Sequence, residues 1–144
     1  MILPVTSENI SDAAYIHSEA WKQSHRSFCS AEFVASHTPE RQRTYLEGEI
    51  AAGKAVYMLV EGKAVGIVSV FKGVIENLYV LPSEQNKGYG SRLLDHAVKN
   101  CGGERLWVLN INEGARRLYV QRGFRESGEI KLLSEKLWEI EMVL

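Results

Sequence analysis

Residues Gln85-Asn86-Lys87-Gly88-Tyr89-Gly90 set two glycines two positions apart, between an apolar run and a helical pattern. The run from Ile75 to Leu81 reads as a strand that stops at Pro82. After the glycines, Leu93, Leu94, Ala97, Val98 and Cys101 recur at helical spacing. A strand, a glycine loop and a helix N-terminus in that order suit an anion. The first N–H groups of a helix lack partners within it, and the macrodipole adds partial positive charge there. Glycine lets the backbone turn tightly and approach a phosphate closely. Two phosphate loops are excluded. A P-loop needs Lys followed by Ser or Thr after its glycines, and no such pair follows here. The dinucleotide fingerprint needs a third glycine where this chain has Leu93.

The elements that must position this loop can be read from both sides of it. The chain has 144 residues, 45% hydrophobic and 24% charged, which is the composition of one soluble globular domain, residues 1–144. A net charge of −1 gives no basic face for nucleic acid. No apolar run approaches the ~20 residues of a membrane span, and the start MILPVTSENISD lacks the features of a signal peptide. Cys29 and Cys101 have neither metal nor redox spacing, so free thiols in the cytoplasm are expected, and no metal. Met1 to Val5 reads as a short strand. A helix capped by Ser7 or Ser11 runs to about Ser24, and a short helix follows around Glu32 to Ser36. Thr38-Pro39-Glu40 starts another helix that Gly53 ends. Ala55–Val60, Ala64–Phe71 and Val74–Val80 read as an antiparallel meander with turns at Gly62 and Gly73. The helix after the loop stops at Gly102-Gly103. Leu106 to Leu109 is apolar enough for a strand covered on both faces. A short helix with Ala115, Leu118 and Tyr119 on one face ends at Gly123, and two final strands follow.

The loop also matches another pattern at every specified position: Gln or Arg, two residues, Gly, one residue, Gly or Ala. Downstream, Asn112-Glu113-Gly114-Ala115-Arg116-Arg117-Leu118-Tyr119, followed by Gly123-Phe124, adds a second motif in the right order. Together with the strand that ends in Val80-Leu81-Pro82, these resemble the GNAT superfamily of acyl-CoA-dependent N-acyltransferases. The resemblance covers Val74 to Phe124 well and the flanks in outline. It implies an α+β fold with a mixed, mostly antiparallel central sheet flanked by about four helices. It also implies acetyl-CoA as co-substrate and a small-molecule or peptide amine as acceptor. Its members are often homodimers.

Carried over residue by residue, the resemblance assigns roles. Backbone N–H groups of Asn86, Lys87, Gly88, Tyr89, Gly90 and Ser91 would cradle the cofactor pyrophosphate, with Gln85 shaping the loop and Lys87 and Arg92 adding charge. Leu78, Tyr79 and Val80 would meet the pantetheine arm, and the Val80 N–H would stabilise an oxyanion. Asn112 would contact the cofactor, although Asn is also a good helix cap. Tyr119 would be the general acid, since a phenol near pKa 10 stays protonated beside a leaving thiolate near 8.5. Glu76 would be the base, acting directly or through water. Strand alternation would set Glu76 and Val80 on one face and Asn77 on the other. His17, Trp21 and His25 are spaced four apart on one helix face and would line the acceptor pocket or cover the sheet edge. No Cys or Ser lies in a nucleophile motif, so transfer would be direct, within a ternary complex. The other reading is a CoA-binding sensor or partner module without chemistry, against which Tyr119 argues.

Overall fold

A computed structural model describes residues 1–144. The chain runs β1 (Ile2–Pro4), α1 (Ile10–His25), α2 (Ala31–Ala35), α3 (Pro39–Ala51), β2 (Ala55–Glu61), β3 (Lys63–Phe71) and β4 (Val74–Val80). A single 3-10 turn at Pro82–Glu84 leads into α4 (Tyr89–Cys101), β5 (Arg105–Leu109), α5 (Glu113–Gln121), β6 (Arg125–Ser134) and β7 (Leu137–Val143). The strands form one sheet in the order β1-β2-β3-β4-β5-β7-β6. Only β4 and β5 are parallel neighbours, so the sheet is mixed and mostly antiparallel, as the family resemblance implies.

Each face of the sheet carries its own core. One cluster sets Leu93, Leu94 and Ala97 of α4 against Val68, Val70, Ile75, Leu106 and Val108, with Tyr119 of α5 at its end. The other sets Ala13, Ile16 and Leu46 of α1 and α3 against Val56, Met58 and Ile67. Gly66 of β3 marks where α4 comes closest: a Cβ there would stand 2.7 Å from Leu93 Cδ1 and 3.0 Å from the Tyr79 carbonyl oxygen. This approach brings the N-terminus of α4 down onto the end of β4.

Local chemistry explains most of the element starts. The Thr38 hydroxyl accepts from Arg41 N at 3.2 Å, with Pro39 at the first helical position. The first helix differs from expectation. Neither Ser7 nor Ser11 caps it; Asn9 precedes Ile10, and its Oδ1 reaches back to accept from Thr6 N at 2.8 Å. β5 also differs. Leu106 and Val108 are buried beneath α4, but Trp107 and Leu109 are only half-buried, because no helix covers that face beyond the end of α1.

Candidate active site

The site is made where β4 and β5 part. They pair only at Val74–Arg105 and Ile75–Leu106. Beyond that point β5 follows β7, pairing from Arg105–Val143 to Leu109–Glu139. Two parallel strands that part in this way leave unpaired peptide groups along the lips of a gap.

Hydrogen-bond alternation shows which groups those are. Leu81 N donates to the Val65 carbonyl at 2.8 Å, so Val65 and Leu81 form a hydrogen-bonded pair. The next pair, Gly66–Val80, is then a non-hydrogen-bonded one, and its peptide groups point away from the partner strand. The Val80 N–H and C=O therefore face the gap. The Val80 carbonyl accepts from Gln85 Nε2 at 3.1 Å, and the same amide donates to Gln23 of α1 at 2.8 Å. Gln85 thus ties the glycine loop to both β4 and α1.

In the loop, Asn86 and Gly88 both have positive φ, +65° and +84°. From Gln85 to Ser91 no backbone N–H donates to any acceptor in the protein. That run of free donors ends at the N-terminus of a helix of 13 residues. It fits a pyrophosphate through backbone groups alone. The cationic side chains do less than expected. Lys87 Nζ lies 2.8 Å from Glu84, and Arg92 Nη1 lies 2.7 Å from Glu61, so both charges are already paired.

A cavity of about 600 Å³ runs from this loop into the gap. Of the proposed cofactor residues, Leu78, Tyr79, Val80, Gln85, Asn86, Gly88, Tyr89, Gly90, Ser91, Asn112 and Tyr119 all line it, and only Lys87 does not. The end of α1 and the turn after it supply the far wall through Gln23, Ser24 and Ser27, which the sequence did not single out. The Asn112 side chain caps α5, its Oδ1 accepting from Ala115 N at 3.2 Å. Only its amide N–H groups remain for a ligand.

A second cavity of about 300 Å³ opens on the α1 and α3 side. It shares Ser24, Leu78, Tyr79, Leu109, Asn112 and Tyr119 with the first. The two cavities are the two mouths of one gap, with Tyr119 between them. Tyr119 is 8% exposed, and its hydroxyl has no hydrogen-bond partner in the protein. Burial pushes its pKa up to about 12. Burial also raises that of Tyr79, so both phenols are neutral at pH 7.

The α1 and α3 side of the sheet corrects the simple alternation of β4. Ser69 pairs with Glu76, whereas Ile67 pairs with Tyr79, so β4 carries one extra residue opposite Val68. The bulge falls at Asn77, whose φ is +52°. Glu76 therefore shares a face with Tyr79 rather than with Val80. Asn77 also points to the α1 and α3 side, where its Oδ1 lies 3.1 Å from His17 Nε2 and its Nδ2 donates to Ser69 at 2.9 Å. Glu76 lines the second cavity, and Lys54 holds its carboxylate at 3.1 Å. Lys54 also pairs with Glu49 at 2.8 Å, which in turn accepts from the Tyr45 hydroxyl at 2.8 Å.

His17 lies beneath this bulge and does not line the pocket. Its Nδ1 accepts from Gln42 Nε2 at 2.6 Å, and its Nε2–H donates to Asn77. Burial lowers its pKa to about 4, outweighing the hydrogen bond to Asn77 that raises it. The sign of the pH effect follows. An unfolded His takes up a proton below about pH 6.5, whereas the folded one stays neutral until about pH 4. This group therefore stabilises the fold fully above pH 6.5, and that contribution is lost as pH falls towards 4. The expected loss is roughly 3 kcal/mol. Urea unfolding at pH 7 and pH 4.5 measures it, and in His17→Gln that part of the pH dependence should vanish.

Trp21 stacks between His25 and His37, with ring centroids 4.0 and 3.5 Å away. Of the three residues on that helix face, only His25 lines the second cavity. Its Nδ1–H donates to the Trp21 carbonyl at 2.9 Å, and burial lowers its pKa, so the ring is neutral at pH 7.

The sequence model of the Acetyltransferase (GNAT) family matches residues 10–124. The chain belongs to this family. Among curated relatives, a mycothiol acetyltransferase of Amycolatopsis mediterranei is 30% identical over 95 residues, which is 61% of this chain and 32% of that protein. An uncharacterized N-acetyltransferase of Archaeoglobus fulgidus is 34% identical over 87 residues, 48% of this chain and 59% of that one. These matches span about a third and three-fifths of the relatives' own lengths. Among solved structures, the PaiA N-acetyltransferase of Thermoplasma acidophilum in complex with coenzyme A superposes with a TM-score of 0.77 at 20% identity. That match covers 100% of this chain and 98% of the other. YncA of Salmonella typhimurium, a putative acetyltransferase with acetyl-CoA, gives 0.70 at 19% identity, covering 100% and 92%. The GNAT fold thus extends over the whole chain, including the flanks where the sequence motifs are weak.

Proposed function

We propose that the protein transfers an acetyl group from acetyl-CoA to a primary amine by direct attack within a ternary complex. The observation that carries this reading is the gap between β4 and β5. It has free loop N–H groups at one mouth, a carboxylate at the other, and an unpartnered tyrosine hydroxyl between them. Acetyl-CoA, when bound, supplies the activated acetyl thioester. The N–H groups from Asn86 to Ser91 bind its pyrophosphate, and the lip of β4 around Leu78 and Val80 aligns the pantetheine arm. Glu76 accepts a proton from the incoming ammonium, directly or through a water in the second cavity. The Val80 N–H stabilises negative charge as it develops on the thioester oxygen. Tyr119 donates a hydrogen bond to the departing sulfur.

Two measurements on the purified chain test the reading. Acetyl-CoA is expected to raise the melting temperature, by about 2.7 kcal/mol of stabilisation at one hundred times its Kd. A panel of amines is expected to release free CoA thiol above the hydrolytic background. Absence of a thermal shift would remove the cofactor assignment. A shift without thiol release from any amine would leave a CoA-binding module in its place.

A further inference from the structure

A primary ammonium has two protons to lose during acetylation, and the residues so far give only one of them a place to go. Glu76, with the Lys54 ammonium 3.1 Å away, takes the proton that must leave before attack. Attack on the thioester carbon then makes the nitrogen cationic again, so a second acceptor is needed. Tyr119 cannot serve, because burial keeps its phenol protonated. His25, at the end of α1, lines the same cavity as both of them. Its ring is held firmly. Trp21 stacks on one face, with centroids 4.0 Å and planes 8° apart, and the Phe28 ring lies 5.2 Å away at a tilt. Nδ1 has two neighbours, the Trp21 carbonyl at 2.9 Å and Ser24 Oγ at 2.8 Å. The carbonyl can only accept, and the Ser24 hydroxyl spends its own hydrogen on that carbonyl at 3.0 Å. The proton of the neutral ring is therefore on Nδ1, and Nε2 carries the free lone pair. Nε2 has no partner in the protein, yet it is not sealed in: the unpartnered polar side-chain atom that is sealed is His96 Nε2, on α4. Burial lowers the His25 pKa, the hydrogen bond to Trp21 opposes this, and His37, beyond Trp21, adds to the lowering. A neutral imidazole with a fixed tautomer and an accessible Nε2 is the form in which histidine acts as a general base.

We propose that His25 is a second catalytic base of the transfer, its Nε2 accepting the proton that the attacking nitrogen sheds once the C–N bond has formed. The proposal rests on the N-acetyltransfer reading. The steps balance without another reactant. Glu76 takes one proton from the ammonium, and the amine lone pair forms the C–N bond as the carbonyl electrons move onto the oxygen beside the Val80 N–H. The nitrogen, now cationic, gives its second proton to His25 Nε2. The C=O bond re-forms, the C–S bond breaks, and the sulfur leaves with its electron pair against the Tyr119 hydroxyl. Glu76 and His25 return their two protons to solvent through the open mouth of the cavity, and the thiolate takes one back. This role falls on α1, outside the Val74 to Phe124 stretch where the motifs lie, so no motif marks it.

The test uses His25→Asn, whose amide N–H can still donate to the Trp21 carbonyl but which has no atom in place of Nε2. Thiol release is followed at saturating acetyl-CoA with the best of butylamine, tyramine, lysine and a short peptide with a free α-amine, and product masses are checked. The asparagine variant should lose about 100-fold in kcat, the lower end of what a positioned base supplies, with KM for the amine and the thermal shift given by acetyl-CoA little changed. In His25→Ala, added imidazole should restore activity about tenfold, and triazole, a ring of the same shape but far weaker as a base, should not. Nitrogen NMR of the histidine rings in the unmutated protein should find His25 Nε2 without a proton at pH 7. Wild-type kcat in the asparagine variant, or a proton on Nε2, would overturn the base and leave N-acetyltransfer standing. A loss confined to KM or melting temperature, and indifferent to imidazole, would overturn it too and make His25 a structural residue. Acetyl-CoA binding with no amine turned over would instead remove the N-acetyltransfer reading, and this proposal with it.

Discussion

Tyr119→Phe is expected to lower kcat by about 10²- to 10³-fold, the usual worth of one preorganised hydrogen-bond donor aimed at developing charge, and to leave CoA affinity nearly unchanged. The ring stays, so the packing of Tyr119 against Phe124 at 6.1 Å stays with it. Only the hydroxyl is lost, and it has no partner in the protein. The hydroxyl opens onto the cavity and makes no hydrogen bond within the protein, so its loss removes none and thermal stability should hold. That combination separates chemistry from structure: turnover falls while melting temperature and CoA binding do not.

The direction of the pKa shift also limits what Tyr119 can do. At about 12 it is a weaker acid than a free phenol, and a thiol is near 8.5. Full proton transfer to the sulfur is uphill by roughly 3.5 units, about 5 kcal/mol. The group is therefore suited to donating a hydrogen bond as charge builds on sulfur, with the proton following from solvent. It also means that any fall in rate between pH 8 and 10 does not come from Tyr119. Turnover of the phenylalanine variant at the wild-type rate against a competent acceptor would remove Tyr119 from the chemistry.

What could be read from sequence divides along physical lines. The glycine loop, the Thr38-Pro39 start and the Asn112 cap were legible because each acts on backbone within a few residues of itself. The bulge was not legible, because alternation assumes a period of 2 and one inserted residue reverses every side chain beyond it. A signal did exist. Asn is unfavourable in mid-strand and is one of the few residues that tolerates left-handed φ, so Asn77 could have been read as the bulge itself. The links Glu49–Lys54–Glu76 and Gln42–His17–Asn77 join residues distant in sequence, and nothing local announces them. For the same reason Lys87 and Arg92 looked free. Their partners, Glu84 and Glu61, matter only once the loop and the β2–β3 turn are side by side.

Gly88→Val should weaken CoA binding by more than any other single change in the loop, abolishing the thermal shift that acetyl-CoA gives. Two effects act together. At φ +84° a β-branched side chain is in the left-handed region, which costs about 1–2 kcal/mol. A Cβ at this position meets no protein atom within 4 Å, so the fold itself has room for it. That open space is where a pyrophosphate must come to reach the free N–H groups on either side. The cost of the substitution therefore falls mostly on the ligand. The unliganded variant should melt only a few degrees lower, whereas CoA affinity should fall about 100-fold or more, as two or more charge-assisted hydrogen bonds are lost. Gly88→Ala, with the same φ penalty but less bulk, should be intermediate. Calorimetric titration of CoA into the three proteins, with their unliganded melting temperatures, separates strain from obstruction. Wild-type affinity in the valine variant would mean that the anion is held elsewhere, and the run of unpaired N–H groups from Gln85 to Ser91 would then need another explanation.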